Sequence, residues 1–182
     1  MSTRGLRGSS LEEFIIRTNE VYRDNKLALI QKVPTPITPV NIDKETRHIT
    51  LAYFDQKSTV DFIGAVQGIP VCFDAKECAL TAFPLQNIHE HQVSFMQDFE
   101  AQDGVAFFLI YFSKADVYYY LSLRELLVFW DRAKNGGRKS FTMGELTEKY
   151  FFGRSKNNGI IPYLEPLAVD LADREPLCSA TD

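Results

Sequence analysis

Cysteine is scarce in this chain: Cys72, Cys78 and Cys178 are three among 182 residues, an odd number with no CxxC spacing. That argues against a disulfide framework and a cysteine-built zinc site, and a reducing cytoplasm is the expected setting. Long hydrophobic runs are missing too. No stretch approaches the roughly 20 uninterrupted apolar residues of a membrane helix, so no membrane association is expected. The N-terminal MSTRGLRGSS has no apolar segment of the kind a secretory leader requires. There is no internal repeat and no low-complexity tract. Positive net charge is also lacking, at −4, which at first sight speaks against a nucleic-acid partner.

The distribution of charge changes that reading. Residues 157–182 hold Glu165, Asp170, Asp173, Glu175 and Asp182 against Arg174 alone, which leaves 19 basic and 19 acidic residues in 1–156. Within that body, Arg132, Lys134, Arg138, Lys139, Lys149, Arg154 and Lys156 face only Glu145 and Glu148. Local basic surface, rather than net charge, is what phosphates meet; the plain alternative is an ordinary solvated face. With 45% apolar and 13% aromatic residues, disorder is excluded and one packed domain is expected. Residues 1–156 are read as that domain and 157–182 as an acidic, partly flexible tail.

Ser10-Leu11-Glu12-Glu13 is a capping-box pattern that predicts a helix to about Asn25, with Leu11, Phe14, Ile15, Thr18 and Tyr22 at helical spacing. Leu27 to Val33 reads as a strand. Pro34 and Pro36 break it, and an extended excursion follows, an insertion over about 33–48. The chain is expected to re-enter the sheet with Ile49 to Phe54. Asn87 predicts a helix cap, with the helix running to about Gln102. Val105–Phe112 and Val117–Leu121 read as a hairpin, and Ser122 with Glu125 as a capping box for a helix to Lys134. A last short helix is expected from Thr142. The order describes an α/β domain, a mixed central sheet flanked by helices.

The chemistry concentrates between Ser58 and Glu77. Asp61 lies in one apolar run and Asp74-Ala75-Lys76 ends the next, with Gln67-Gly68 as a turn signal between them. Folded as a hairpin, the two carboxylates and the ammonium converge, because Asp74 and Lys76 are two apart on a strand and share a face. Two hard carboxylates with phosphate oxygens and waters suit Mg²⁺, with Mn²⁺ as a substitute. Such a metal polarises a phosphate and activates water, while Lys76 offsets developing charge. The plain alternative is a surface ion pair, against which the acids' place within apolar strands weighs.

Asp61, twelve residues, then Asp74-Ala75-Lys76 looks like the PD-(D/E)xK nuclease signature of the restriction-endonuclease-like fold. The flanking segments sharpen this: Arg7-Gly8, Leu11-Glu12, Lys32-Val33-Pro34-Thr35-Pro36-Ile37, Ala52-Tyr53-Phe54, Ser58-Thr59-Val60-Asp61-Phe62, Phe83-Pro84-Leu85-Gln86-Asn87, His91-Gln92 and Gly137-Arg138-Lys139-Ser140. In this order they resemble the RecU family of Holliday junction resolvases, from about Arg4 to Ser140. The resemblance implies a Mg²⁺-dependent homodimeric endonuclease that nicks opposed strands of four-way DNA junctions in recombination and repair, and a recombinase as a further partner. It puts Asp61, Asp74 and Lys76 on catalytic positions, Asp61 and Asp74 on the metal with Thr59 nearby, and Glu12 on the acid of the first helix. Gln92 falls on a helix beside the site. The excursion matches a projecting stalk, with Arg47 and Phe54 facing DNA and Lys32 at its base. Some relatives carry Glu where this chain has Asp74. A sequence-specific restriction enzyme of the same fold and a non-catalytic junction-binding recombination modulator are the competing functions.

Three further features have two readings each. His89 and His91, two apart, fall on different helical faces, which disfavours a shared zinc. Tyr118, Tyr119 and Tyr120 can stack nucleobases, or pack in the core with one ring half exposed. The loop Asn135-Gly136-Gly137-Arg138-Lys139 can grip phosphate through backbone amides, giving Arg138 and Lys139 a DNA-binding role, or its glycines simply end a helix.

Overall fold

The structure is a computed structural model and describes residues 9–35, 37–54 and 59–174. Along the described residues run α1 (Ser9–Asp24), β1 (Ala28–Lys32), β2 (Ile37–Ile42), β3 (Ile49–Phe54), β4 (Phe62–Val66), β5 (Ile69–Cys78), β6 (Ala82–Pro84), α2 (Glu90–Glu100), β7 (Val105–Phe112), β8 (Val117–Ser122), α3 (Leu123–Lys134), β9 (Ser140–Thr142), β10 (Phe151–Phe152) and α4 (Leu164–Arg174). The central sheet has the order β1-β4-β5-β7-β8-β10. Only β5 and β7 pair in parallel, because α2 carries the chain back between them as a crossover. The α/β architecture with a mixed sheet and flanking helices is therefore as the pattern predicts.

A row of rings fixes the sheet's register. Phe62 stacks on Phe73 at 4.9 Å, Phe73 on Phe107 at 4.7 Å and Phe107 on Tyr120 at 4.4 Å, crossing β4, β5, β7 and β8. All four are buried, and α1 packs over this face with Leu11, Ile15, Thr18 and Tyr22 pointing inward. A one-residue slip would turn every ring to the other face, so the aromatic row also sets where the intervening polar residues point. The β4–β5 link is a two-residue turn: Val66 pairs with Ile69, and Gln67 and Gly68 both adopt positive φ, 48° and 89°. That is the geometry of a type I′ hairpin, for which glycine at the second position is strongly preferred.

The structure corrects several expectations. Ile49–Phe54 does not re-enter the main sheet. It pairs with β2 in a separate two-stranded sheet, so the projecting hairpin covers 37–54 rather than about 33–48. The helix after Pro84 begins at Glu90 with His89 as its N-cap, and Leu85–Asn87 is a 3-10 turn. The Gln92 side chain accepts the His89 N–H at 3.1 Å, which starts the helix there rather than at Asn87. The helix expected from Thr142 is a 3-10 turn, Met143–Glu145. None of Tyr118, Tyr119 and Tyr120 is half exposed; all are fully buried because both sheet faces are covered. Finally, the segment read as an acidic tail folds through Arg174, since Ile161, Tyr163 and Leu167 are buried. Asp170, fully buried, accepts from Tyr120 at 2.9 Å, Arg124 at 2.5 Å and Arg174 at 2.9 Å. Residues 175–182 lie outside the described residues. Among the described residues no helix is long and apolar enough to cross a membrane.

Candidate active site

Because Phe73 enters the aromatic row, its neighbour Asp74 must point to the opposite face, toward α2, and Lys76 follows two residues later on that face. Asp61 is not in a strand. It occupies the bend just before β4, where its carbonyl accepts the Val33 N–H at 2.8 Å. The β1–β4 ladder ends at Lys32 and Phe62, so β5 runs on past β4 with one edge unpaired. Asp61 fills that gap: its Oδ2 accepts the Ala75 N–H at 3.0 Å. The hairpin thus brings both carboxylates together, as their spacing predicts.

Asp74 is 1% exposed. Its Oδ2 accepts from Gln92 Nε2 at 2.5 Å, and its Oδ1 lies 2.5 Å from Lys76 Nζ. That lysine contact has the distance of an ion pair but not the angles of a hydrogen bond, and Oδ1 is left without a hydrogen-bond donor. Burial pushes the Asp74 carboxyl up to about 7; Lys76 pulls it down and the neighbouring Asp61 pushes it up again. Burial, more than the neighbouring charges, is what disfavours the ionised form. A further cation would favour the ionised form, and Oδ1, ion-paired with Lys76 but without a hydrogen-bond donor, is the oxygen that could ligate it. Among the described residues no group of three or more His, Cys, Asp or Glu converges. A pair of carboxylates suits an ion that keeps several waters and takes the rest of its ligands from phosphate, as Mg²⁺ does.

The other predicted residues fall into three places. Glu12 pairs with Lys32. Lys32 stands opposite Phe62, so this pair belongs to the α1 face of the sheet and not to the face carrying Asp74. Thr59 lies in the bend, two residues before Asp61. Arg47 has φ 57° at the turn of the projecting hairpin and is exposed. Phe54 pairs with Ile37 at the hairpin's base, and its side chain lies outside the described residues. His89 and His91 stack on each other with centroids 5.4 Å apart.

The basic segment is largely spoken for. Arg132 and Arg138 both pair with Glu145, whose carboxyl is drawn down to about 2, first by Arg132 and then by the Thr142 amide. Lys134 pairs with Glu90 at 3.3 Å and Lys149 with Asp173 at 2.5 Å. Arg154 lies over the Phe14 ring at 3.9 Å and donates to the Tyr118 hydroxyl at 2.7 Å. Nor are the loop amides free for phosphate. Gly136 N–H donates to the Ala133 carbonyl at 3.2 Å and Gly137 N–H to the Arg132 carbonyl at 2.9 Å, with Gly136 at φ 83°. This is helix termination. Counting charges along the sequence missed these partners; Glu145, the acid between two basic runs, was the available signal.

Residues 6–169 match the family described as RecU, Recombination protein U. The Holliday junction resolvase RecU of Pediococcus pentosaceus is 41% identical over 170 residues, covering 91% of this chain and 84% of that protein. The Holliday junction resolvase RecU of Bacillus cereus is 41% identical over 146 residues, 78% of this chain and 73% of that protein. That of Bacillus thuringiensis is 42% identical over 146 residues, with the same coverage.

Proposed function

Because this chain belongs to the RecU family, we propose that it is an endonuclease resolving four-way DNA junctions in recombination, with the Asp61–Asp74–Lys76–Gln92 cluster as its active site. The observation that carries the site is the buried Asp74, its carboxyl beside Asp61 and ion-paired with Lys76, and its Oδ1 without a hydrogen-bond donor. Asp61 and Asp74 would hold a divalent cation, Mg²⁺ in our reading with Mn²⁺ able to replace it, which when bound supplies Lewis-acid polarisation of the scissile phosphate and a more acidic water. Gln92 fixes Oδ2 by its hydrogen bond, so Asp74 presents Oδ1 in one orientation. The Ala75 amide does the same for Asp61. Lys76, one side of which is occupied by Asp74, offers its remaining N–H donors to a phosphate oxygen and offsets charge that grows as the bond breaks. Glu12, paired with Lys32, acts on this reading at the base of the stalk by orienting the lysine that meets the DNA backbone.

The projecting hairpin supports a homodimer. Val40, Ile42, Ile49, Leu51 and Tyr53 are each about half exposed; Ile49, Leu51 and Tyr53 share one face of β3 by strand alternation, and Ile42 stands opposite Ile49. A two-stranded sheet is marginal alone, and a contiguous apolar face marks an interaction surface. The same face of a second copy is the partner we infer, and a two-fold dimer would nick two opposed strands. Arg47 at the hairpin's turn then faces DNA, and a recombinase is a further partner in this reading. Cys72 and Cys78 are free and buried, which fits work in the reducing cytoplasm. The test is cleavage of a mobile synthetic junction against its separate linear arms, with Mg²⁺ or with EDTA. Metal-dependent symmetric nicks in the junction are expected; equal cutting of the linear arms would favour a restriction-type enzyme instead.

A further inference from the structure

A cavity of about 500 Å³ opens between the end of α3 and the start of α2. Its walls include Pro84, Leu85, Ile88 and Trp130, and Lys134 and Lys139 stand at its mouth. The helix makes this placement inevitable. Leu126 and Phe129 of α3 are buried in the core, and Trp130, the next residue round, is turned about 100° away into the opening. The walls are held together by the Leu85 N–H donating to the Lys139 carbonyl at 3.1 Å and by the Lys134–Glu90 pair at 3.3 Å. Glu90 also lines the cavity; Gln92, two residues on, is turned about 200° round the same helix and donates to Asp74, so α2 carries the cavity and the candidate site on different faces.

We propose that this cavity receives an unpaired nucleobase of the strand being cut, stacked on Trp130, with the adjoining phosphates held by Lys134 and Lys139. The size is that of a small-molecule pocket. A flat aromatic wall in an apolar cleft with two ammonium groups at the mouth is the combination that single-stranded DNA selects, a π-face for the base and cations for the backbone. Lys139 has no ion pair among the described residues and stands ready for phosphate. Lys134 exchanges Glu90 for phosphate when the strand arrives. The inference rests on the nuclease reading, with α2 as the element that the cavity and the Asp74 cluster share. An apolar partner side chain is the other occupant the shape allows, and the two cations favour the nucleotide.

Trp130 is the chain's single tryptophan, so fluorescence excited beyond the absorption of the tyrosines reports on the cavity alone. The wild-type protein in EDTA, where nothing is cut, is titrated with a short single-stranded oligodeoxynucleotide, an abasic strand of equal length and a blunt duplex, each labelled so that anisotropy records binding separately. The base-bearing strand is expected to quench Trp130 in step with binding, while the abasic strand and the duplex bind without quenching it. Trp130→Ala should weaken the base-bearing strand about tenfold and Trp130→Phe by no more than about twofold. Lys139→Gln, an exposed change that spares the fold, should weaken all strands. Binding of the base-bearing strand with unchanged fluorescence would overturn the proposal, as would equal quenching by abasic DNA. Quenching that depends on protein concentration without DNA would give the cavity to a second copy. Junction cutting by the same preparation on adding Mg²⁺ reports independently on the nuclease reading.

Discussion

Asp74 is where the physical tension of the molecule is concentrated. An aromatic row fixes its direction, Gln92 and Lys76 fix its two oxygens, and burial opposes its charge. The folded carboxyl, at about 7, holds its proton more tightly than the unfolded one at 3.8. Its contribution to stability is therefore full below about pH 4 and disappears as pH rises to 7. On the alkaline side the ionised, metal-free site costs on the order of 3–4 kcal/mol. Asp74→Asn removes this pH dependence. Denaturant unfolding in EDTA should show the variant gaining on the wild type between pH 5 and pH 8, although its cutting is lost. A variant that loses ground over that range would refute the assignment. Stability given up at a site is a common accompaniment of function.

At the scale of elements, the projecting hairpin and α4 are opposites. The two strands of the hairpin pair only with each other, so replacing 38–53 by a short Gly-Ser turn should leave the remaining domain folded, its thermal transition lowered only by loss of the dimer contact. The same change should abolish the preference for junctions over linear arms, read by competition gel shift. α4 is bound into the core through Asp170. Asp170→Ala strands Arg124 and the Tyr120 hydroxyl and should cost about 3–5 kcal/mol in urea unfolding, with no direct effect on the Asp61–Asp74 pair. These two elements were also the hardest to read from sequence. Ile49–Phe54 alternates like any strand, and nothing local distinguishes pairing with β2 from pairing in the main sheet. Asp170 looks like a solvated acid until its partner Arg124, 46 residues earlier, is brought beside it. By contrast the β4–β5 hairpin was legible, because a two-residue period and the Gln67-Gly68 turn are local signals. They located Asp61 and Asp74 together, while Gln92 came from the resemblance alone and its contact with Asp74 from the fold.

For the molecule as a whole, the net charge is −4 and most of the basic stretch is internally paired, so a few cations, Lys139 among them, carry the attraction to phosphate. Affinity for a junction should fall with salt, but unequally by residue. Lys139→Gln should flatten the slope of log K against log salt by about 0.9, whereas Lys149→Gln, whose lysine is already held by Asp173, should change it little. Equal changes would mean that the pairing seen here does not persist on DNA. The most direct test of the account pairs binding with cutting on one synthetic four-way junction, for wild type and Asp74→Asn, in Mg²⁺. The account predicts that the variant binds as well as the wild type or better, having lost a negative charge, while the symmetric nicks vanish. Nicks from Asp74→Asn at the wild-type rate would contradict it.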